Sequence, residues 1–274
     1  MRRRFIILSA LSTALALQAS AAEQTTPEGQ TLTVATFNIN WGNPNLPEVV
    51  RVIRQSQADV VALQETNEAS ERYLRRHLSN SYPHMHFRPP TGGFFASGFA
   101  FLSKIPLGRL RYLGPNGGMF GSWACQVTWA GKRLQIVNVH LQPFLLPQGG
   151  SLAAVLRLFA QIEDVHAQEI AAIHKALSSE TPAVVLGDFN SLSMGKAPRY
   201  LTSKGLIDGF GSVNEKPDQH PTWQWQLRDV NLAFRVDYVF HSKGVSTIES
   251  RIIQTNASDH YPVVSRLRFL GEEP

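Results

Sequence analysis

Six strand-like apolar runs in this sequence each begin or end beside a side chain that could bind a cation or move a proton. Two groups of these side chains lie in the short segments 186–191 (LGDFNS) and 258–263 (SDHYPV). Polar residues at the strand ends of a buried sheet lie together at one edge of the sheet, so we expect these residues to form a catalytic or binding site. The candidates supply carboxylate, amide or imidazole groups: Asn38, Glu65, His140, Asp188, Asn190, Asp237, Asp259 and His260.

Each candidate also has a purely structural explanation when it is taken alone. Asn38 could cap a turn, and Glu65 could be a carboxylate in the first turn of a helix. Asp188 and Asn190 could form an Asx-turn, and a lone histidine could be a hydrogen-bonded core residue. The combination favours a site, because an oxygen-rich set without cysteine suits a hard cation such as Mg²⁺, with Mn²⁺ as the alternative.

The hydrophobic pattern predicts an α/β fold that positions these residues. Apolar residues at steps of three and four predict a long amphipathic helix over 152–177 and shorter helices over 46–57 and 68–78. The sequence contains no internal repeat or low-complexity segment, so we expect one domain. Runs rich in β-branched or aromatic residues predict strands at 32–38, 59–63, 98–103, 122–129, 134–140, 183–186, 236–241, 247–253 and 263–269.

The N-terminus has the order of a secretory signal peptide. Three arginines at positions 2–4 precede an apolar run over 5–17 and the small residues Ala19, Ser20 and Ala21. The run is too short to span a bilayer, which needs about 20 residues. We therefore expect a signal peptide over 1–22, a flexible segment over 23–30 and a catalytic domain over 31–271. The mature protein would be exported to a bacterial periplasm or secreted.

Charge and cysteine content narrow the function classes. Of 26 Lys and Arg residues, three lie in the leader, which leaves 23 against 21 Asp and Glu and a mature net charge of +2. Proteins that bind polyanions are often far more basic, so overall charge gives nucleic-acid binding little support. Cys125 is the only cysteine, so no intramolecular disulfide can form, and we expect a small buried core residue.

The ordered set of strand-end residues resembles the endonuclease/exonuclease/phosphatase superfamily, which has the fold of deoxyribonuclease I. The resemblance runs from about residue 33 to 269 and includes the segment 98–106 (GFAFLSKIP). It implies a four-layer α/β/β/α sandwich of two mixed, largely antiparallel sheets, with helices outside and a cleft at one end. Together with the leader, it makes the chain resemble a secreted bacterial member.

The resemblance also implies a metal site. Glu65 would ligate Mg²⁺ or Mn²⁺ with Asn38 beside it, and Asp259 would help to bind or position the metal. Hydrolysis of a phosphoester needs such a cation, because negative charge on the non-bridging phosphate oxygens must be neutralised.

The remaining candidates would carry the reaction. The resemblance implies that Asp188 and Asn190 lie over the scissile phosphate and that Asp237 orients His260. His140 matches a histidine of the deoxyribonuclease, sphingomyelinase and inositol phosphatase branches. His260 is the candidate base, because an imidazole pKa near 6.5 suits neutral pH. A protonated His140 would assist Asn190 in neutralising the phosphate.

The expected activity is metal-dependent hydrolysis of a phosphoester by in-line attack of water. A secreted nuclease or related phosphodiesterase is the first choice. A sphingomyelinase-like lipid phosphodiesterase and a sugar or inositol phosphate phosphatase are the alternatives. A non-catalytic binding module is disfavoured, because all eight site residues are present.

Loop composition leaves the substrate class open. The loops 90–95 (PTGGFF), 117–121 (GGMFG) and 142–147 (QPFLLP) carry apolar or aromatic tips. Such tips can stack nucleic-acid bases, contact a membrane surface or pack on one another. Nucleic acid gets modest support from a few arginines, and we expect a monomer. These arginines are Arg72, Arg75, Arg76, Arg228 and Arg235.

Overall fold

Two six-stranded sheets form the centre of the described part of the chain, which comprises residues 31–144, 152–227 and 230–270 of a computed structural model. The strands are β1 Thr31–Asn38, β2 Val60–Gln64, β3 His84–Arg88, β4 Phe99–Ser103, β5 Leu107–Leu113, β6 Ser122–Trp129, β7 Lys132–His140, β8 Ala183–Asp188, β9 Ile207–Asp208, β10 Trp223–Leu227, β11 Val230–Phe234, β12 Asp237–His241, β13 Val245–Ile252 and β14 Val263–Phe269. One sheet has the order β13-β14-β1-β2-β4-β3, and the other has the order β5-β6-β7-β8-β12-β9. Strands β10 and β11 form a separate antiparallel hairpin.

Helices cover the outer faces of both sheets. They are α1 Leu46–Ser56, α2 Glu68–Leu78, α3 Leu152–Ala176 and α4 Lys196–Ser203, and a fifth short helix, α5 Gly209–Val213, contacts strands of both sheets. The start of α2 is fixed by a capping box, in which Asn67 and Ser70 satisfy each other's backbone N–H groups. Within the described ranges, no helix is both long and apolar enough to cross a membrane.

Three apolar clusters hold four layers together. The first joins the facing sides of the two sheets, for example Val34 and Phe101 of one sheet to Ile136 and Leu186 of the other. The second packs α1 and α2 on the first sheet, and the third packs α3 and α4 on the second sheet. The α/β/β/α sandwich expected from the sequence is therefore confirmed. Cys125 is buried in the first cluster, and burial raises the pKa of its thiol.

The sheets are mixed and largely antiparallel, as expected. Strand β1 pairs with β2, and β7 pairs with β8, in parallel, whereas the other strand pairs are antiparallel. All nine predicted strands are present. The sequence pattern missed β3, β5, β9 and the β10–β11 hairpin, because edge strands and short hairpins carry no long apolar run. It also missed the short helices α4 and α5.

The predicted apolar stripe of α3 is only partly correct. Ile162, His166 and Ile170 are buried, but Leu156 and Phe159 are 60% and 42% exposed. The helix has 25 residues and is about 37 Å long, whereas the six residues of β8 extend about 20 Å. The helix is thus longer than the strand it packs on, and its first turns lie beyond the third cluster.

Some expectations concern residues outside the described ranges. These are the signal peptide over 1–22, the segment over 23–30, residue 271, the part of the loop 142–147 after residue 144, and Arg228. The domain limits therefore stay predictions.

Candidate active site

Strand pairing brings the predicted residues to one edge of the two sheets. Asn38 ends β1 and Glu65 follows β2, and these strands are parallel, so both side chains reach the same edge. In the second sheet, Asp188 pairs with His140 on one side and with Asp237 on the other. Strand β14 is antiparallel to β1, so the Ser-Asp-His run that precedes it also lies at this edge.

The carboxylate of Asp188 is the centre of the site. Its Oδ2 accepts a hydrogen bond from Asn38 Nδ2 at 3.0 Å. The same oxygen lies 3.6 Å from Nε2 of His140 and 3.6 Å from Nε2 of His260. Its Oδ1 accepts the backbone N–H of Asn190 at 2.9 Å. Asp188 is buried, and this burial raises the pKa of its carboxyl group.

Glu65 faces the same centre from the first sheet. Its Oε1 accepts a hydrogen bond from Asn38 Nδ2 at 2.9 Å and lies 3.8 Å from His140 Nε2. Its Oε2 accepts the backbone N–H of Trp41 at 3.0 Å. The backbone of Glu65 has φ +61°, a left-handed conformation that is uncommon for this residue and that often marks functional positions. Burial raises the pKa of Glu65, and Asn38 links it to Asp188 through one amide nitrogen.

A hydrogen-bonded pair of Asp237 and His260 stands beside Asp188. His260 Nδ1 lies 2.9 Å from Asp237 Oδ2, which leaves Nε2 facing Asp188. Burial lowers the pKa of His260, but the charges of Asp237 and Asp188 outweigh it and raise the pKa to about 10. The value near 6.5 expected for this histidine is therefore wrong for the protein groups alone, because two carboxylates stabilise the imidazolium.

His140 has the opposite protonation behaviour. Its ring is stacked on Phe120 with centroids 4.2 Å apart, and burial lowers its pKa to about 4, although Asp188 acts in the other direction. The expectation of a protonated His140 is therefore wrong at neutral pH. The cost of removing the imidazolium from water exceeds what one shared carboxylate returns.

Asp259 is held by donors on three sides. Its Oδ1 accepts hydrogen bonds from Asn40 Nδ2 at 3.1 Å and Ser258 Oγ at 3.2 Å, and its Oδ2 accepts one from Trp223 Nε1 at 3.2 Å. Burial raises the pKa of Asp259, but the charge of His260 and these hydrogen bonds lower it overall. Asp259 is thus an ionised anchor beside the cleft, and its role toward a metal stays a prediction.

The segment from Gly187 to Asn190 requires an unusual backbone. Gly187 has φ +147°, and a Cβ there would lie 2.0 Å from the carbonyl oxygen of Val139, so only glycine fits. Asn190 has φ +47°, and its Nδ2 donates to the carbonyl oxygen of Leu141 at 3.0 Å. This turn fixes Asn190 next to Asp188 and joins it to the segment after β7.

Thr222 supports the site and was not among the predicted residues. It is fully buried, and its Oγ1 accepts the backbone N–H groups of Val236 and Asp237, each at 2.9 Å. Its carbonyl oxygen accepts the N–H of Tyr261 at 2.6 Å. Thr222 therefore joins the start of β12 to the segment after His260. The only sequence signal was the Thr-Trp pair ahead of the Asp-containing strand.

Three buried polar residues of α3 support the loops after β7 and β8. Glu163 Oε1 accepts a hydrogen bond from Ser191 Oγ at 2.9 Å. His166 Nε2 lies 2.6 Å from the carbonyl oxygen of Gln142, and Glu169 Oε2 accepts the N–H of Gln142 at 3.0 Å. Burial raises the pKa of Glu169 to about 7. The spacing of three places these residues on one face of the helix. The apolar periodicity of the helix does not reveal this polar face, because it takes only the apolar residues into account.

The donor set fits a hard divalent cation. Asp188 is a buried carboxylate and Glu65 a partly buried one. Burial raises the pKa of both, so added positive charge would stabilise their ionised forms. Asp237 Oδ1 is also buried and accepts no hydrogen bond from the described residues. Ligand atoms of Asp188, Asp237 and His260 lie within 4.8 Å of one another and form an alternative cation site. The 2.9 Å hydrogen bond from His260 to Asp237 instead favours their role as an oriented pair.

Comparisons with known proteins place this geometry in context. A sequence profile described as the endonuclease/exonuclease/phosphatase family matches residues 35–260. No curated protein sequence gives a significant match. Among solved structures, a similar one is an endonuclease/exonuclease/phosphatase family protein from Leptotrichia buccalis C-1013-b. It is 18% identical with a TM-score of 0.66, over 87% of this chain and 100% of that chain.

Two further solved structures have similar folds. The D. rerio TDP2 structure complexed with single-strand DNA product is 17% identical, with a TM-score of 0.66 over 87% of this chain and 99% of that chain. The human Nocturnin catalytic domain with bound sulfate anion is 16% identical, with a TM-score of 0.68 over 88% of this chain and 95% of that chain. At these identities the likeness shows the fold alone.

Proposed function

Because the chain belongs to the endonuclease/exonuclease/phosphatase family, a family of phosphoester hydrolases, we propose that it is an exported phosphodiesterase that depends on a divalent cation. The observation that carries the proposal is the shared Asp188 Oδ2. It lies 3.6 Å from Nε2 of both His140 and His260 and is joined through Asn38 to Glu65. One phosphate group and one water molecule could reach all of these side chains.

Glu65, with Asn38 and Asp259 in support, would hold Mg²⁺ or Mn²⁺. When bound, the cation would neutralise the phosphate oxygens and offset the carboxylates that raise the pKa of His260. Asn38 and Asp259 would act mainly by fixing their neighbours, because Asn38 presents its amide nitrogen to Glu65 and Asp259 already accepts hydrogen bonds at both oxygens.

His260 would accept the proton of the attacking water in its neutral form. Asp237 holds Nδ1 as the donor of the 2.9 Å hydrogen bond, so Nε2 is the free base that faces the cleft. The charge of Asp237 also stabilises the imidazolium that forms when the proton arrives. A positioned base of this kind contributes about 10²- to 10⁴-fold to the rate.

His140 and Asn190 would bind the non-bridging oxygens. A neutral His140 has one ring N–H to donate, and its ring is fixed by stacking on Phe120. Asn190 uses one amide hydrogen on the carbonyl oxygen of Leu141 and keeps the other for substrate. Both residues would hold the phosphate in line with the water.

Nucleic acid is the first substrate class to test. The support is the fold shared with TDP2, whose structure contains a single-strand DNA product. The basic residues give less support than the sequence suggested. Arg72 and Arg75 form ion pairs within α2, and Arg235 is buried between Asp208 and Asp218. These three arginines are therefore already paired and contribute little to holding a phosphate backbone.

A lipid phosphodiester is the second candidate, and the apolar rim of the cleft favours it. Trp41, whose backbone binds Glu65, is 48% exposed and is stacked on Phe95, which is 70% exposed. On the hairpin, Trp225 and Phe234 are 42% and 39% exposed. Large exposed apolar side chains next to a cleft mark a binding surface, and acyl chains would match it.

Export rests on the leader alone. The order of arginines, a short apolar run and small residues supports cleavage after residue 21 or 22. Expression of the full chain in a bacterium, followed by N-terminal sequencing of the periplasmic fraction, tests this. We expect a mature N-terminus at residue 22 or 23, and an intact Met1 in the cytoplasm would contradict it.

The substrate experiment compares hydrolysis rates for five substrates with Mg²⁺. These are plasmid DNA, single-stranded DNA, RNA, sphingomyelin in vesicles and inositol phosphates. We expect a phosphodiester to be cleaved fastest. A nuclease would lose affinity steeply as salt rises, whereas a lipid phosphodiesterase would depend on the presence of an interface. Exclusive cleavage of monoesters would contradict the proposed reaction.

A further inference from the structure

The first turns of α3 are apolar and yet exposed. Residues 152–161 (LAAVLRLFAQ), here termed the apolar helix end, contain eight apolar residues and one charged residue, Arg157. Leu156 and Phe159 are 60% and 42% exposed, and Ala153 and Ala160 are also exposed. Exposed apolar surface of this kind in a folded protein marks an interaction surface.

The distribution of these side chains limits what can cover them. At about 100° per residue, four exposed apolar residues occupy one face of about 120°, with Arg157 beside it. They are Ala153, Leu156, Phe159 and Ala160. An interfacial helix lies on a membrane with one such apolar face in the headgroup layer and its cationic side chains beside that face. Nucleic acid is disfavoured as the occupant, because Arg157 is the single cation available for a phosphate backbone.

The apolar helix end is joined rigidly to the active site. Phe159 contacts Phe144 edge to face at 5.7 Å, and Phe144 lies four residues after His140. Between them, Gln142 is held through both its N–H and its carbonyl oxygen by the buried Glu169 and His166 of the same helix. A surface bound by the helix end would therefore hold the cleft at a fixed distance from it.

Other exposed aromatic residues lie on different sides of the cleft. Trp41, whose ring is stacked on Phe95, follows β1 and donates its backbone N–H to Glu65. Trp225 is on the β10–β11 hairpin, whose Trp223 contacts His260. Tryptophan and phenylalanine at a rim are the side chains that lipid-binding proteins use at the headgroup level. Exposed aromatic residues thus occur near the active-site residues as well as at the apolar helix end.

We propose that the apolar helix end inserts into the surface of zwitterionic phospholipid membranes and brings the cleft to that surface. A single positive charge, Arg157, among apolar residues suits a headgroup layer that contains phosphate but has no net charge. The inference goes beyond the proposed reaction, because binding to a membrane is measured without turnover.

The test is flotation of the mature protein with phosphatidylcholine vesicles. The test variant is Leu156→Gln with Phe159→Gln, and the matched control is Val213→Gln with Ile248→Gln, which removes two other exposed apolar side chains, 42% and 36% exposed. We expect wild type and control to float with the vesicles. The test variant should bind at least about tenfold more weakly, because it lacks two apolar side chains that would be buried in the membrane. Binding should persist at high salt, since apolar contact is not screened.

Several outcomes would overturn the proposal. Wild-type protein that stays with the soluble fraction would do so, as would equal binding by wild type and the test variant. A wild-type dimer in solution that the test variant converts to monomers, with no vesicle binding, would show that the surface joins two copies instead. Thermal unfolding checks that both variants are folded. Hydrolysis of the soluble substrate bis(p-nitrophenyl) phosphate separates this inference from the proposed function, because either can fail while the other holds.

Discussion

His140 and His260 approach the same carboxylate from different sheets, and their environments leave His140 neutral and His260 positively charged at neutral pH. Each Nε2 lies 3.6 Å from Asp188 Oδ2, and each side chain is buried. His260 has a second carboxylate, Asp237, at 2.9 Å, which raises its pKa to about 10. His140 has the ring of Phe120 instead, and burial lowers its pKa to about 4. The hydrogen-bonded carboxylate of Asp237, and not burial, therefore distinguishes the two histidines.

The largest expected effect comes from removing His260, the histidine that is hydrogen-bonded to Asp237. His260→Ala should lower kcat/KM for a phosphodiester at least about 100-fold, because a positioned base contributes 10²- to 10⁴-fold. The surface variant His77→Ala is the control. Near-normal turnover by a folded His260→Ala protein would remove His260 from the reaction. His140→Ala should also lower kcat/KM, by removing a neutral donor.

Asp237→Asn should bring the pKa values of His140 and His260 closer together. The pKa of His260 should fall by more than about one unit from its wild-type value of about 10, while the pKa of His140 stays near 4. Nitrogen chemical shifts in NMR titrations with chelator report both rings, and Asp164→Asn on the surface of α3 is the control. An unchanged His260 pKa would mean that Asp237 does not stabilise its charge.

The same variant should change how stability depends on pH. The folded-state pKa of His260 is raised above its unfolded value of 6.5, so its contribution is fully present below pH 6.5 and lost as pH rises through about 10. Denaturant unfolding at pH 6, 8 and 10 should therefore show a decline for wild type and a smaller decline for Asp237→Asn. Parallel curves would contradict the coupling.

Glu169→Gln tests the helix that supports the segment after His140. The folded-state pKa of Glu169 is raised from 4.5 to about 7, so its contribution to stability is present below pH 4.5 and lost as pH rises through 7. The variant keeps an oxygen for the N–H of Gln142 and carries no charge. We expect it to be more stable than wild type at pH 8, by up to about 3 kcal/mol, and to show little gain at pH 4. Glu180→Gln, at an exposed position, should show no such difference.

Thr222→Val should have the smallest effect of these variants. It keeps the shape of the side chain but removes the acceptor of two buried N–H groups, so the free energy of unfolding should fall by about 1–3 kcal/mol. Thr222→Ser keeps the hydroxyl and should restore most of this loss. Equal stability of the serine and valine variants would show that the hydroxyl does not support β12.

Local sequence patterns were sufficient to predict the strands that carry the site residues at their ends. Asn38, Asp188 and Asp237 lie at the ends of apolar runs, and such runs form buried strands whatever their neighbours are. Prediction of the four-layer sandwich also needed the resemblance to the endonuclease/exonuclease/phosphatase superfamily, because hydrophobic periodicity does not determine how two sheets pack.

Other features depend on contacts that a sequence pattern does not contain. The charges of His140 and His260 follow from distances to carboxylates on other strands, so the expectations for both were wrong. Glu163 and Glu169 were missed because they lie on the buried side of a helix that periodicity describes as apolar. The first turns of α3 have the same apolar pattern as the rest, but they lie outside the cluster through which α3 packs on the second sheet.

The most direct test of the site is the rate of bis(p-nitrophenyl) phosphate hydrolysis by wild type and Asp188→Asn, each with Mg²⁺ or with chelator. Asparagine keeps the shape of Asp188 but removes the charge that Asn38 and both histidines share. We expect wild type with Mg²⁺ to be at least about 100-fold faster than wild type with chelator and than the variant under either condition. Equal rates for wild type with Mg²⁺ and with chelator, or for the folded variant and wild type, would contradict a cation-dependent site centred on Asp188.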